Sequence, residues 1–394
     1  MIDSARHVPL RPQPWDPDMA ATTIEEIASD ALAHFDAERL WPAHPLDDTS
    51  DGQLGFYFGA TGIIWALDYL RRAGAITAQF DFRSSMHKLL DASKAAIPGY
   101  EDYSSHGSFL FGDLGTALLV MRLSPSCDIA DFIHERASVN TSLPIRELMW
   151  GMPGSMLACI HMAEMTGEPR WRALFAVQAE RLLGDLEETT SGPLWMQDLY
   201  GRKAQYLGPV HGYAGNMIPL MRAWDWLTDN QRTRIAEAVP RTLTANACRS
   251  EFGVTWHAVA GADFPPSLCQ HCHGAPGMVT TFADAPFSTP DLETLLVQGG
   301  RFTWAAGPLA KGSNLCHGTG GNGYAFLKLF RRTNEPVWLE RARAFAMFSV
   351  DQYLEARERY GRGRYSLWTG DVGVAIYLWD CLTGKPYFPT IDIF

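Results

Sequence analysis

One short pattern recurs seven times along the 394 residues: Gly-x-x-Gly followed at once by an apolar stretch of helical spacing. The copies are Gly59/Gly62, Gly112/Gly115, Gly151/Gly154, Gly212/Gly215, Gly274/Gly277, Gly318/Gly321 and Gly370/Gly373. Successive copies lie 39 to 62 residues apart, room for two helices and two connections each. A single GxxG constrains little. Seven in series at helix-pair spacing predict a repeat architecture.

The segments behind the turns read as buried helices. After Gly62, residues Ile63, Ile64, Leu67 and Leu70 follow helical spacing, with Asp68, Arg71 and Arg72 on the other side. After Gly154 comes SMLACIHMAEMTG and after Gly373 comes VAIYLWDCLTG, apolar on most sides and so expected to face protein all round. Three such helices should stop alike, at Thr166-Gly-Glu-Pro169, Thr333-Asn-Glu-Pro336 and Thr383-Gly-Lys-Pro386. Gly or Asn ends a helix in the left-handed conformation, and Pro opens the next one. Amphipathic stretches, WRALFAVQAERLL and VWLERARAFAMFSVDQYLEARERY, follow the first two. Val, Ile and Thr show no sustained alternation that would demand a sheet.

Seven helix pairs stack as an open solenoid or close into an all-α, seven-fold α/α toroid. The toroid is expected, because only a folded-back chain brings units four and seven near the reactive residues of units five and six. Its glycine turns would converge on a central mouth. Residues 1–22 carry four prolines and no clean period, so they read as an extended arm ahead of one toroid domain at 23–394.

Composition narrows the function. A net charge of −11 and no Lys/Arg run argue against nucleic-acid binding, which rests on neutralising phosphates. The N-terminal MIDSARHVPLRPQPWDPD lacks the apolar core of a secretory signal, and no apolar run of about 20 residues is present for a membrane span. Seven scattered cysteines do not read as a disulfide framework. A reduced, cytoplasmic protein is expected.

Aligning the units by their turns isolates the residues that carry chemistry. Just before the first glycine stand Phe58, Phe111 and Trp150, then His211, His273 and His317, then Thr369. Units five and six add Cys272 and Cys316. Zinc takes thiolate and imidazole in tetrahedral geometry, and a catalytic site keeps three protein ligands plus an exchangeable position. Cys272, Cys316 and His317 are the expected ligands. The bland reading makes each cysteine a small buried hydrophobe. Cys269 in Cys269-Gln-His-Cys272 leaves a closed Cys3His site open as an alternative, whereas the haem-attachment reading of CQHCH lacks an exporting signal.

With CHGAPG at 272–277, NLCHGTGGNGYAFL at 314–327, GPVHGYAGN at 208–216 and SLWTGDVG at 366–373, the chain resembles the lanthionine synthetase C-like family over about residues 50–385. The resemblance implies a seven-fold α/α toroid and a zinc (Zn2+) on Cys272, Cys316 and His317. It also implies addition of a cysteine thiol to a dehydroalanine or dehydrobutyrine residue, giving a thioether. His211 matches the family's acid/base histidine. His273, where the bacterial cyclases usually have Tyr, is shared with the eukaryotic branch and is a second catalytic candidate. The usual Trp before the unit-five cysteine is His271 here, another possible proton donor. The cyclases' Asp ahead of the third turn has no clear counterpart: IRELMWG offers only Glu147, at a doubtful offset, and no role is transferred to it.

Lys311 stands where the LanC-like branch has a glutathione-contacting lysine. Arg359, Arg362 and Arg364 precede unit seven, and a cationic rim would suit glutathione or an acidic peptide. The expected partners are therefore a thiol donor, glutathione or a peptide cysteine, and a dehydrated peptide or protein. Two other classes compete: cyclisation within one precursor peptide, and a non-catalytic zinc- or glutathione-binding adaptor. A carbohydrate-active toroid, suggested by thirteen Trp, lacks a carboxylate pair that the repeat would bring together.

Overall fold

The structure, a computed structural model, describes residues 2–47, 49–96 and 107–394, and among them fourteen α-helices run in sequence. In chain order they are α1 (Pro17–Ala33), α2 (Ala60–Arg72), α3 (Arg83–Ala95), α4 (Asp113–Leu123), α5 (Cys127–Asn140), α6 (Met152–Thr166), α7 (Pro169–Gly184), α8 (Tyr213–Arg222), α9 (Asp229–Ala245), α10 (Ala275–Phe282), α11 (Pro290–Ala306), α12 (Thr319–Thr333), α13 (Pro336–Tyr360) and α14 (Asp371–Thr383). Every even-numbered helix begins behind a glycine turn, with the first glycine of the pair as its N-cap.

The second glycine is needed for a different reason. A Cβ on Gly277 would lie 1.8 Å from the carbonyl oxygen of His271, and one on Gly321 would lie 1.8 Å from that of Leu315. The other five units repeat this contact with the residue six positions back, at 2.1 to 2.5 Å. The turn folds flat onto the first turn of its own helix, and no side chain fits between them.

Even-numbered helices form the inner ring. Each packs on the next, α2 through α14, and α14 packs on α2, so the ring closes. Odd-numbered helices lie outside. On α7, Trp171, Leu174, Phe175, Gln178, Leu182 and Leu183 are buried while Arg172, Glu180 and Arg181 face out. By contrast α6 buries every residue from Met152 to Met162, as its all-round apolar sequence predicts. The expected helix ends are present: Gly167, Asn334 and Gly384 sit at φ of 69°, 57° and 68°, and Pro169 and Pro336 open α7 and α13.

Two features depart from the expectations. Helix α1 claims residues 17–22 from the expected arm, because the Asp16 side chain accepts from Met19 N and Pro17 takes the first helical position. The helix then packs on α14 at the point of closure. The two longest spacings between glycine turns, units three to four and four to five, hold three antiparallel hairpins. They are β1 (Glu187–Thr189) with β2 (Gly192–Leu194), β3 (Gln197–Leu199) with β4 (Arg202–Ala204), and β5 (Ala247–Ser250) with β6 (Gly253–Trp256). Strands of three or four residues are too short to show alternation in sequence.

Beyond Pro386 no helix follows. Residues 385–394 instead enter the ring, touching inner helices of units one, three, four and six. Phe394 packs on Trp65, the Thr390 carbonyl pairs with His161 and that of Ile391 with Arg222, and Asp392 pairs with Lys328. No helix among the described residues is long and apolar enough to cross a membrane.

Candidate functional site

Ring closure brings the glycine turns together, and backbone hydrogen bonds join those of units five, six, seven, one and two. In these units the residue two before the first glycine makes the rung. Cys272 N donates to Cys316 O at 3.1 Å, Cys316 N to Trp368 O at 2.9 Å, and Trp368 N to Tyr57 O at 3.3 Å. Cys272 and Cys316 thus occupy neighbouring, equivalent places on the mouth. Their thiols meet there, buried at 8% and 3% exposure.

The pair shares its protons unequally. A hydrogen bond from the Cys316 thiol lowers the pKa of Cys272, helped by the Gln270 amide, which donates to Cys272 Sγ at 2.9 Å, and by nearby His211 and Lys311. Cys316 is correspondingly raised by the same bond and by burial. The Tyr57 hydroxyl donates to Cys316 Sγ at 2.9 Å. Thiolate therefore forms first on Cys272. His317 follows directly, its amide held by Asn314 Oδ1 at 3.0 Å. Burial and the charges of Lys311 and Arg364 hold its pKa down to about 3, so the imidazole is neutral at pH 7. Among the described residues, no three His, Cys, Asp or Glu side chains already stand as a metal cage.

On the neighbouring unit stands His211, the expected acid/base residue, paired with Glu147, a carboxylate to which the sequence assigned no role. Glu147, wholly buried, accepts from the backbone amides of Met149 at 3.1 Å and Trp150 at 2.5 Å, which turn its carboxylate inward. There it meets His211 Nδ1 at 2.9 Å. The carboxylate fixes the tautomer with the proton on Nδ1 and leaves Nε2 for proton exchange. An acidic residue inside the apolar run LPIRELMWGMPG was the available signal, since buried carboxylates need partners. Beside this pair, Phe111 stacks on Trp150 at 4.5 Å and Tyr57 on Phe111 at 5.1 Å, an aromatic wall from units one to three.

The remaining candidates fall in different places. Half-buried His273 has its pKa lowered to about 4 by desolvation and by His211; its ring lies beside Gly208, where a Cβ would come 3.1 Å from Nδ1. His271 turns away from the mouth and stacks on Phe388 at 4.3 Å. Cys269 bonds Thr303, and burial raises its pKa to about 12. Exposed Lys311 acts electrostatically on Cys272, Cys316 and His317. The Arg364 guanidinium pairs with Asp47 at 2.9 Å, while Arg359 lies over the Tyr360 ring.

The chain is 30% identical over 192 residues to "Glutathione S-transferase LANCL1" of Danio rerio, covering 48% of this chain and 46% of that protein. It is 36% identical over 118 residues to "LanC-like protein GCL1" of Arabidopsis thaliana, covering 28% and 27%. The matched stretches thus span less than half the length of these curated relatives. Nisin cyclase shares the fold at a TM-score of 0.61, with 15% identity over 93% of this chain and 98% of that one. The sequence model of the lanthionine synthetase C-like proteins matches residues 50–393, and the chain belongs to that family.

Proposed function

We propose that this protein forms thioethers, adding a cysteine thiol to a dehydroalanine or dehydrobutyrine residue. The observation that carries the reading is a thiol pair with a carboxylate-held histidine on the neighbouring unit. The donor chemistry suits zinc: two soft thiols that hydrogen-bond to each other, one biased toward thiolate, and a neutral imidazole on the residue after Cys316. Cys272, Cys316 and His317 would hold the ion. When bound, it supplies deprotonation of an incoming thiol at neutral pH.

The chain's own residues account for the rest. The substrate sulfur adds to the β-carbon, the C=C electron pair moves onto the α-carbon and carbonyl as an enolate, and His211 Nε2 delivers one proton to the α-carbon. The thiol proton leaves to solvent, His211 Nε2 takes up from solvent the proton it delivers, and no group is expelled. Glu147 holds His211 through Nδ1 and balances the charge the ring carries when protonated. His273 lies one turn nearer the thiol pair as a second candidate for this transfer.

The positive field of Lys311 at the thiols supports an anionic thiol donor such as glutathione. Arg364, paired with Asp47, also acts on His317, and Arg359 and Arg364 are proposed to extend the positive field toward the substrate. The domain division, an N-terminal arm and one toroid, and a cytoplasmic setting belong to this reading too. Cyclisation of one precursor is the second reading, supported by the fold shared with nisin cyclase.

Mass spectrometry of a dehydroalanine peptide incubated with zinc-loaded protein tests the proposal, with glutathione in one arm and an internal cysteine in the other. A glutathione adduct above background supports the first reading and a ring the second. Neither product in either arm would leave a binding protein.

A further inference from the structure

The β3–β4 hairpin places an unusual residue beside His211. Leu199 pairs with Arg202, so Tyr200 and Gly201 are the two central residues of the turn. Both have positive φ, 55° and 71°. Such turns favour Asn or Asp followed by Gly, because a bulky L-residue is strained in the left-handed region. A tyrosine here runs against local preference, and its contacts supply a reason.

Its ring meets the His211 ring edge to face, with centroids 5.5 Å apart at 87°. Its hydroxyl accepts from Trp150 Nε1 at 3.0 Å. Trp150 also donates its backbone amide to Glu147, the partner of His211. One tyrosine thus touches the histidine directly and is tied to the residue that orients Glu147. The ring is 46% exposed, so it stands at the rim.

We propose that Tyr200 is a positioning residue for His211: the strained hairpin tip presses an aromatic ring against the imidazole and fixes its orientation toward the substrate. The inference rests on the proposed role of His211 as proton donor. It assigns a function to the β3–β4 hairpin, which the repeat itself does not require.

Three variants separate this from a structural role. Tyr200→Ala removes the ring, Tyr200→Phe keeps it, and Tyr200→Asn installs the residue that suits the turn. In zinc-loaded protein, kcat for thioether formation should fall about tenfold in Tyr200→Ala with KM nearly constant, since misorientation costs rate. Tyr200→Phe should recover most of that loss. Tyr200→Asn should be as slow as Tyr200→Ala while its Tm equals or exceeds the parent's, which mere destabilisation would not produce.

A second readout needs no turnover. Imidazole 15N signals, assigned with His211→Gln, should show a single Nδ1–H tautomer in the parent and a shifted or exchange-broadened signal in Tyr200→Ala. Unchanged His211 signals with unchanged kcat would overturn the proposal. If the signals respond but no protein forms a thioether, the positioning contact stands and the assigned reaction fails instead.

Discussion

Glu147 has all its named partners within four residues or on the neighbouring unit at His211, and this arrangement makes its replacement informative. Glu147→Gln keeps the volume but puts an NH2 in place of one acceptor oxygen. Leaving buried donors without an acceptor costs about 1–3 kcal/mol, to be read by urea unfolding. The larger effect should be on rate: thioether formation should fall between about tenfold and a hundredfold, given the usual worth of positioned acid–base catalysis. A loss of stability with unchanged rate would make Glu147 a turn residue only. The thiols were legible in sequence, because Cys-His-Gly recurs at equivalent places. Glu147 was not, because its side chain reaches the mouth by curling onto the amides of Met149 and Trp150, a path that alignment at the glycine does not encode. Tyr200 was illegible for another reason: it arrives on a hairpin outside the repeat.

At the scale of the elements, the glycine turn is both the repeat's signature and its weakest point for substitution. Gly277→Ala would force a methyl group to 1.8 Å from a backbone carbonyl and to 2.8 Å from Pro209. Such overpacking costs about 1–3 kcal/mol or more, and with backbone on one side the upper end or failure to fold is expected. Gly167→Ala meets no atom within 4 Å and bears only the left-handed φ of 69°, a cost of about 1 kcal/mol. Thermal melts of the two variants side by side check this, and equal losses would refute the close-approach explanation. Helix order and caps were readable because every unit repeats them. The hairpins and the start of α1 depend on single local devices, a two-residue turn and the Asp16–Pro17 cap.

For the whole molecule, closure depends on α14 meeting α1 and α2 and on the C-terminal tail inside the ring. His161, wholly buried on α6, bonds the Thr390 carbonyl at 3.0 Å, and burial lowers its pKa to about 4 from an ordinary 6.5. The unfolded chain binds this proton more tightly, so stability present above pH 6.5 is lost as pH falls toward 4. His161→Gln should flatten that loss in urea melts at pH 7.5 and 5; an unchanged slope would remove His161 from the account. Lys328 is 1% exposed between Asp284 and Asp392, and Lys328→Met, which leaves Asp392 without its cation while Asp284 keeps Arg331, should destabilise the fold by less than the roughly 3–5 kcal/mol of a fully stranded buried charge. The toroid's functional consequence is the one that matters most: it sets Cys272 and Cys316 on adjacent rungs and gives Cys269 a separate partner in Thr303. Zinc stoichiometry by elemental analysis tests this directly. The account predicts one zinc per chain in the parent and in Cys269→Ala, and none in Cys272→Ala or Cys316→Ala; a parent that takes up no zinc, or a Cys269→Ala protein that has lost it, would contradict it.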